Sequence, residues 1–420
     1  LYASVELAAE DGHGTFLGKL RLLEALNRTL TSAGAAGQTK PGVVVQAADP
    51  LGRGWAPGSN WGQSPLTQSA LAAFWADECR SKPLGFYTWG PRLASIFRQD
   101  RMLQSKLAPG RDLDPVIAAI GQDETLRTGY TSMLELAEGL TNPFAYPDLR
   151  PRLAGQALES RQPVRMFPPS RSREGDLAAR LWGNRPVPEG ASLMDELVAR
   201  VRMGDVSLEP REDSGWYDHQ TWSLEPLLRP ERTEEAKRLA YGEEYLKHLE
   251  MLFRGVLALM RETHVKQLDV TPTAGRAMPP RRVTIDVRPD LRVEPLATHY
   301  ARRADAYAFV RTVLEGAVGE GALSSLRRRT VDGWAPLDLD TELDLMEALF
   351  RGAASSARIG VGLDVAGGPS HAPARAVFDT WRTLQAGDPD LARDVRMMVP
   401  VFYDQIRRKT KVFCRSILST

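Results

Sequence analysis

The chain repeats an apolar spacing of three to four residues along much of its length, and this spacing limits its fold more than any other feature. Near the amino terminus the spacing is kept by Leu17, Leu20, Leu23, Leu26 and Leu30. Residues three and four positions apart lie on one face of an α-helix, so the pattern indicates an amphipathic helix that buries its leucines. Because Gly12 and Gly14 interrupt the pattern, we expect this helix to begin near Thr15.

The same periodicity predicts most of the other elements. Further helices are predicted over residues 67–81, 92–107, 124–140, 175–182, 193–203, 233–268, 299–318, 340–357 and 372–384. The helix at 233–268 has the clearest amino-terminal signature, because Thr233 is followed by two acidic residues and preceded by Pro230. The fold class is therefore mainly α, a helical globular protein.

Strand signals are few and lie mostly in the carboxyl-terminal half. Residues 282–287 and 291–296 flank an Arg-Pro-Asp turn and predict a β-hairpin. Residues 397–403 and 410–414 are rich in β-branched and aromatic side chains, with a polar segment between them, and predict a second hairpin. We therefore expect two small β-hairpins added to the helical fold.

Changes in composition divide the chain into three parts. Residues 1–141 form a helical region with a Trp-rich loop, in which the Gly- and Pro-rich stretch 34–65 holds a strand candidate at 43–45. Residues 142–173 are rich in Pro and Arg, which suits a linker or a surface strap between two helical lobes. Residues 174–420 form a second helical region that carries the hairpins.

Charge and composition exclude several classes of protein. The 420 residues carry 54 Lys and Arg against 53 Asp and Glu, a formal net charge of +1. This balance gives no overall field that would draw the chain to nucleic acid or to an anionic membrane, so we expect no nucleic-acid partner. No run of 18 apolar residues exists, and we expect a soluble chain without a membrane span. Cys79 and Cys414 match no metal-binding spacing and suit two free thiols or one long-range disulfide.

Common catalytic motifs are missing from the sequence. The run 12–19 looks like a phosphate-binding loop, but its first glycine stands one position too early. In addition, Leu20 occupies the place of the hydroxyl residue that reaches magnesium in such loops. The sequence contains neither a GxSxG elbow nor an HExxH pair.

A candidate for chemistry is the short, loop-like segment 216–222, which reads Trp-Tyr-Asp-His-Gln-Thr-Trp. Here His219 can act as an acid–base group or a metal ligand near neutral pH, and Asp218 can orient it. Glu262 or His264, on the long helix that follows, can complete the catalytic site or help to bind a divalent metal ion. The alternative is structural, because a His beside Trp and Tyr is more often a packed and hydrogen-bonded core residue.

Aromatic residues are concentrated near the amino-terminal third of the chain. The candidate ligand-binding residues are Trp55, Trp61, Trp89, Tyr217 and Arg98. Aromatic faces with polar neighbours can line a groove for a small molecule, a peptide or a sugar. The alternative is a core of large side chains that packs a long loop onto its domain.

Arginine offers a different kind of ligand site. Arg98 and Arg101 flank Asp100, and Arg165, Arg171 and Arg173 follow on the Pro-rich stretch. Guanidinium groups form paired hydrogen bonds with carboxylate or phosphate oxygens, so these residues can bind an anionic group. The alternative is an ordinary solvated surface.

Two functions of different class follow from these residues. The first is a hydrolase-like enzyme, with or without a metal, whose cleft lies between the Trp-rich loop and the segment 216–222. The second is a non-catalytic binding or scaffold protein that uses an aromatic groove and arginine clusters. Sequence alone leans towards the enzyme, and it leaves open the substrate, the oligomeric state, the compartment and whether the chain is part of a longer protein.

Overall fold

The computed structural model of this chain is mainly helical. The structure describes residues 2–59, 64–157, 162–183, 185–237, 239, 241–262, 292–326, 338–363, 399–404 and 409–413. The helices up to residue 153 are α1 (Tyr2–Asp11), α2 (Lys19–Ser32), α3 (Lys40–Gly52), α4 (Pro65–Ala76), α5 (Glu78–Ser81), α6 (Pro91–Leu103), α7 (Asp114–Gln122), α8 (Glu124–Leu140) and α9 (Arg150–Leu153). The later helices are α10 (Arg173–Trp182), α11 (Leu193–Met203), α12 (Trp216–Trp222), α13 (Glu225–Leu228), α14 (Glu243–Glu262), α15 (Ala297–Val318) and α16 (Leu339–Gly360).

The described residues fall into two compact units. The first lies within Leu1–Arg171, Phe309–Thr330 and Ala335–Glu342, and the second within Ser172–Ala308, Val331–Trp334 and Leu343–Thr420. The predicted division of the chain at 142–173, and the two lobes that it would join, remain predictions. None of the described helices combines the length and the apolar character that crossing a bilayer requires.

The core of the first unit is built around the leucines of α2. Leu23, Leu26 and Leu30 are buried there as their spacing predicts. The Pro- and Arg-rich stretch contributes to this core through Leu149, Val164 and Met166. Leu107 and Val164 also exchange backbone hydrogen bonds of 2.8 and 2.9 Å. Much of this stretch is therefore packed onto the first unit.

The strand predicted at 43–45 is wrong, because these residues lie inside helix α3. Thr39 caps this helix by accepting a hydrogen bond from the Gly42 amide, and Pro41 occupies its first turn. Val44 and Val45 are buried in the core of the first unit. Burial of this valine face outweighs the modest preference of valine for strands.

The glycine-rich run between α1 and α2 is a tight turn. The backbones of His13 and Phe16 bond to each other in both directions, at 3.1 and 2.9 Å. A Cβ atom added to Gly18 would lie 2.2 Å from the Gly12 nitrogen, and Gly12 itself has a φ of +78°. These two glycines are therefore required by backbone contact and conformation. The turn places Lys19 at the start of α2, where its side chain is buried.

The core of the second unit is formed by the apolar faces of α11, α13 and α14. Leu197, Leu227, Leu249 and Phe253 are each fully buried in it. The predicted helix at 233–268 is described as α14, preceded by a separate 3-10 turn at Glu234–Lys237. The segment Trp216–Trp222, which we expected to be loop-like, is helix α12.

Three short strands are described. They are β1 (Arg292–Val293), β2 (Val399–Asp404) and β3 (Lys409–Phe413), paired antiparallel in the order β1-β2-β3. In this register Val401 lies opposite both Val293 and Lys411. The two hairpins remain predictions, since residues 282–291 and the connection 405–408 lie outside the described residues. The helix predicted at 372–384 lies outside them as well.

Candidate functional site

The segment predicted to be catalytic packs into the second unit as α12. Tyr217 is buried, and the Arg173 guanidinium lies 4.9 Å from its ring centroid. The Asp218 carboxylate is also buried, and it accepts hydrogen bonds from Arg180 Nη2 and Ser214 Oγ, both at 2.6 Å. Asp218 is thus engaged by a cation and a hydroxyl group, which stabilise its charge in the fold.

His219 is half-buried at the adjacent position of α12. Burial lowers the pKa of His219, and the negative charges of Asp218 and Asp305 partly oppose this effect. Of the other catalytic candidates, the Glu262 side chain and all of His264 lie outside the described residues. Within the part of the chain that the structure describes, no group of three or more His, Cys, Asp or Glu could hold a metal ion. The hydrolase and divalent-metal hypotheses therefore remain predictions.

A different histidine, His299, is the most deeply buried imidazole described. Its Nδ1 lies 2.6 Å from the Ser223 carbonyl oxygen and donates to it, while Nε2 has no hydrogen-bond partner among the described atoms. Burial lowers the pKa of His299 to about 3, and the nearby Arg303 and Arg302 add to the effect. His299 is therefore a neutral core residue, which the sequence did not single out.

The protein should lose stability on acidification through His299. The unfolded chain binds a proton near the ordinary pKa of 6.5, and the folded chain does so only near 3. A group whose folded pKa is lowered favours unfolding as the pH falls between these two values. Between pH 7 and pH 4 we expect the native protein to lose about 2–3 kcal/mol of unfolding free energy relative to His299→Asn, which lacks this imidazole. Urea titrations at both pH values measure it.

The exposed His248 provides the control, and we expect His248→Asn to leave the unfolding free energy at pH 7 almost unchanged. A His299→Asn variant with the same pH dependence as the native protein would contradict the neutral, buried state of His299. A constant loss of stability at every pH reports only the packing change.

The predicted aromatic ligand residues occupy different environments. Trp55 is buried in the first core, donates from Nε1 to the Ser59 carbonyl at 3.3 Å and packs edge-on against Trp75. Trp89 is 41% exposed and contacts Phe86 with ring centroids 6.0 Å apart. Trp61 lies outside the described residues, and Tyr217 belongs to the second unit. The proposed cleft, and the ligand-binding role of these residues, remain predictions.

Arg98 belongs to a group of three arginines in the first unit that we call the arginine triad: Arg80, Arg98 and Arg165. Each guanidinium lies over an aromatic ring, with distances to the centroid of 5.3 Å for Arg80 over Phe74, 4.6 Å for Arg98 over Trp75 and 4.0 Å for Arg165 over Tyr146. Stacking of this kind holds a guanidinium plane in place through the ring quadrupole.

Hydrogen bonds to the backbone fix the same three groups. Arg98 Nε donates to the Ser81 carbonyl at 3.0 Å, next to Arg80 in helix α5. Arg80 Nη2 donates to Ser105 Oγ at 2.9 Å and to the Arg101 carbonyl at 3.3 Å. Arg165 Nη1 donates to the Gln104 carbonyl. The triad is therefore assembled around α5 and the carboxyl-terminal end of α6.

No member of the triad forms an ion pair with any carboxylate in the described residues. Several other partly buried arginines of this unit do pair with carboxylates. Among them, Arg53 pairs with Asp49 and Glu24, Arg92 with Asp11, and Arg150 with Asp148 and Glu138. Charged groups removed from water are normally compensated by an opposite charge, so three uncompensated guanidinium groups are unusual.

The electrostatics of the triad reflect this lack of compensation. Burial lowers the pKa of Arg98 and, together with the positive charge of Arg165, that of Arg80. Asp77 opposes the shift at Arg80 but forms no described ion pair with it. Arg165 is only 9% exposed, and its buried Nε–H has no hydrogen-bond partner among the described atoms. The arrangement can stabilise negative charge placed near these groups.

Two other polar features of the first unit are already compensated. A groove of about 530 Å³ between α8 and α9 is lined in part by Arg127 and Arg150, which pair with Glu124 and with Glu138 and Asp148. Its arginines are therefore occupied by neighbouring carboxylates.

A buried ion-pair centre forms the second feature. Lys19 Nζ lies 3.2 Å from a Glu10 oxygen and also contacts Asp100. Burial raises the pKa of Glu10, and Lys19 counteracts this. Gln99 is fully buried beside this centre. A Cβ atom added to Gly52 would lie 1.9 Å from the Gln99 amide nitrogen and 3.0 Å from a Glu10 carboxylate oxygen, so both side chains lie close to Gly52. Two acidic groups and one ammonium group thus share a dry site that joins α1, α2 and α6.

Comparison with known proteins adds no relative. The chain matches no protein-family model, no curated protein and no solved structure at a significant level.

Proposed function

We propose that this protein is a binding protein that holds an anionic ligand on the arginine triad of its first unit. The proposal rests on three guanidinium groups that are fixed by stacking and by backbone hydrogen bonds but form no ion pair with a described carboxylate. This proposal develops the second of the two functions that the sequence allowed, and it uses Arg98 and Arg165 as the sequence suggested.

Pre-organisation supports the proposal. A flexible surface arginine loses side-chain entropy when it binds a ligand, whereas a guanidinium that is already stacked and hydrogen-bonded loses little. Partial burial also strengthens each interaction with a negative charge, because the surroundings are less polarisable than water. An anion bound at the triad would therefore gain charge-assisted hydrogen bonds at a small ordering cost.

The hydrolase hypothesis has less support in the described residues. Asp218 is engaged by Arg180 and Ser214, and two of the four proposed catalytic side chains are not described. Chemistry at His219 remains a prediction that activity measurements can address separately.

Sulfate titration tests the anion site. We expect saturable binding by calorimetry at low ionic strength, and we expect Arg98→Ala to weaken it about 10- to 100-fold. This range corresponds to about 1.5–3 kcal/mol for a hydrogen bond to a charged group. Arg98 is half-buried and, among the described residues, hydrogen-bonds a single backbone carbonyl, so thermal unfolding should show that the variant stays folded.

Arg28→Ala is the matched control, because Arg28 is an exposed arginine of the same unit whose described ion pair is with Glu24. Its sulfate affinity should equal that of the native protein. Equal losses in both variants would indicate nonspecific screening and contradict the proposal, as would the absence of saturable binding.

A further inference from the structure

We infer, resting on the proposed function, that the ligand group of the triad is the dianionic phosphoryl group of a phosphate monoester. The observations are the number of fixed charges, the nitrogen atoms that make no described hydrogen bond, and the placement of the three arginines relative to one another. Each of these distinguishes a phosphoryl dianion from a carboxylate.

Charge matching is the first argument. The triad carries three positive charges, and Asp77 is a carboxylate near enough to act on Arg80. Three positive charges and one negative charge leave a local charge of about two, which a phosphate monoester at neutral pH balances with about −1.5 to −2. A carboxylate brings one negative charge and leaves buried positive charge without compensation.

The nitrogen atoms that make no hydrogen bond within the described part of the chain give the second argument. Arg98 uses Nε for Ser81, so its two terminal nitrogens remain as an end-on fork. Arg165 uses Nη1 for Gln104, so Nε and Nη2 remain as a side-on fork. Arg80 uses Nη2 and retains Nε and Nη1. A phosphoryl group offers three strong acceptor oxygens, one for each guanidinium, whereas a carboxylate offers two.

Placement gives the third argument. Arg80 and Arg165 bond neighbouring parts of the chain after α6, namely Ser105 and the Gln104 carbonyl. Arg98 bonds the carbonyl of Ser81, the residue next to Arg80. Two of the three groups are close enough for the charge of Arg165 to lower the pKa of Arg80. Such mutual repulsion between fixed cations is relieved by a bound dianion.

Phenyl phosphate, titrated at pH 7.5 and at pH 5, tests the inference. The second pKa of such monoesters is about 6, so about a tenth of the probe is dianionic at pH 5. We expect its affinity to fall about tenfold between the two pH values, because guanidinium groups stay charged throughout. Sulfate is a dianion at both pH values and therefore controls for any change in the protein itself. Its affinity should change little, and benzoate should bind at least tenfold more weakly than phenyl phosphate at pH 7.5.

Arg98→Lys keeps the positive charge but removes the fork, and it guards against a variant that simply fails to fold. We expect it to lower phenyl phosphate affinity about tenfold while thermal unfolding is unchanged. Full affinity in Arg98→Lys would contradict recognition by paired hydrogen bonds.

The failures of the two proposals are distinguishable. If sulfate binds and depends on Arg98 but benzoate matches phenyl phosphate, or if phenyl phosphate affinity is the same at both pH values, the phosphoryl inference is wrong and the anion site stands. If no anion binds, both fail. A phosphoserine peptide, titrated beside free phosphoserine, separates the sources: tighter binding of the peptide assigns the group to a modified protein, and equal binding assigns it to a small phosphate ester.

Discussion

Replacing Lys19 with Met is expected to lower the free energy of unfolding by about 3–5 kcal/mol, the usual cost of removing one partner from a buried ion pair. The Lys19 ammonium group is buried between Glu10 and Asp100. Without it, two carboxyl groups are left together in a site that excludes water, and both their repulsion and their desolvation favour unfolding.

The loss should depend on pH. Burial already raises the pKa of Glu10 while Lys19 is present, and removal of the ammonium group raises it further. A carboxyl group with a raised folded pKa destabilises the fold above its ordinary pKa and has little effect below it. The deficit of Lys19→Met measured by urea unfolding at pH 7 should therefore shrink at about pH 4.

Lys247 supplies the control for this prediction. Its ammonium group pairs with Glu243 at 2.7 Å, but both side chains are largely exposed. Exposed pairs of this kind contribute about 0.3–0.5 kcal/mol, so Lys247→Met should leave the unfolding midpoint almost unchanged. Similar losses in the two variants, or an equal deficit at both pH values, would show that the Lys19 centre is not a dry ion pair.

Replacing Arg180 with Met is expected to cost about 3–5 kcal/mol in the second unit. Arg180 is nearly buried and bonds two carboxylates, Asp218 at 2.6 Å and Asp176 at 3.2 Å. It also donates to the Ser207 and Glu209 carbonyls. Without Arg180, the buried carboxylate of Asp218 keeps a single described hydrogen-bond donor, the Ser214 hydroxyl group.

Arg358→Met is the matched control for this variant. Arg358 Nη1 lies 2.6 Å from Glu234, and both side chains are far more exposed than those of Arg180 and Asp218. We expect Arg358→Met to cost less than about 1 kcal/mol by chemical unfolding. If Arg180→Met is no more destabilising than this control, the ion pair with Asp218 does not stabilise the fold. The catalytic role predicted for Asp218 would then be the better explanation of its place in the sequence.

The sequence predicts the helices well where their apolar faces are long. The leucines of α2 and the bounds of α8 and α11 follow the spacing of three to four residues. The prediction is wrong at 43–45, because the valines are buried by packing in the first core, and no local pattern contains that information. Likewise, the polar content of Trp216–Trp222 indicated a loop, but Trp216 and Tyr217 are anchored in the core as parts of a helix.

The site was predictable only in part. Arg98 and Arg165 were recognised as anion-binding candidates from residue type alone, since guanidinium groups suit that role wherever they cluster. Arg80 was not assigned to them, because its place beside Arg98 depends on how α5 packs against α6. The lack of ion pairs to described carboxylates is a property of the three-dimensional arrangement, and a balanced net charge of +1 conceals it.

The hydrogen bonds that Asp218 accepts could not be predicted from the sequence for a similar reason. Its partner Arg180 lies 38 positions away in the chain, and Ser214 is one of many hydroxyl residues. Neighbouring Asp and His residues indicate a catalytic pair only if their side chains face each other. Successive residues of a helix are about 100° apart around its axis, so helix formation itself separates them.

A crystal structure of the protein soaked in tungstate, located by its anomalous scattering, is the most direct test of anion binding at the arginine triad. Tungstate is a tetrahedral dianion and imitates both sulfate and the phosphoryl group. We expect an anion within hydrogen-bond distance of at least two guanidinium groups of the arginine triad, and we expect it to be lost in Arg98→Ala. Tungstate bound only elsewhere, or triad guanidinium groups paired with carboxylates of the chain, would contradict the proposal.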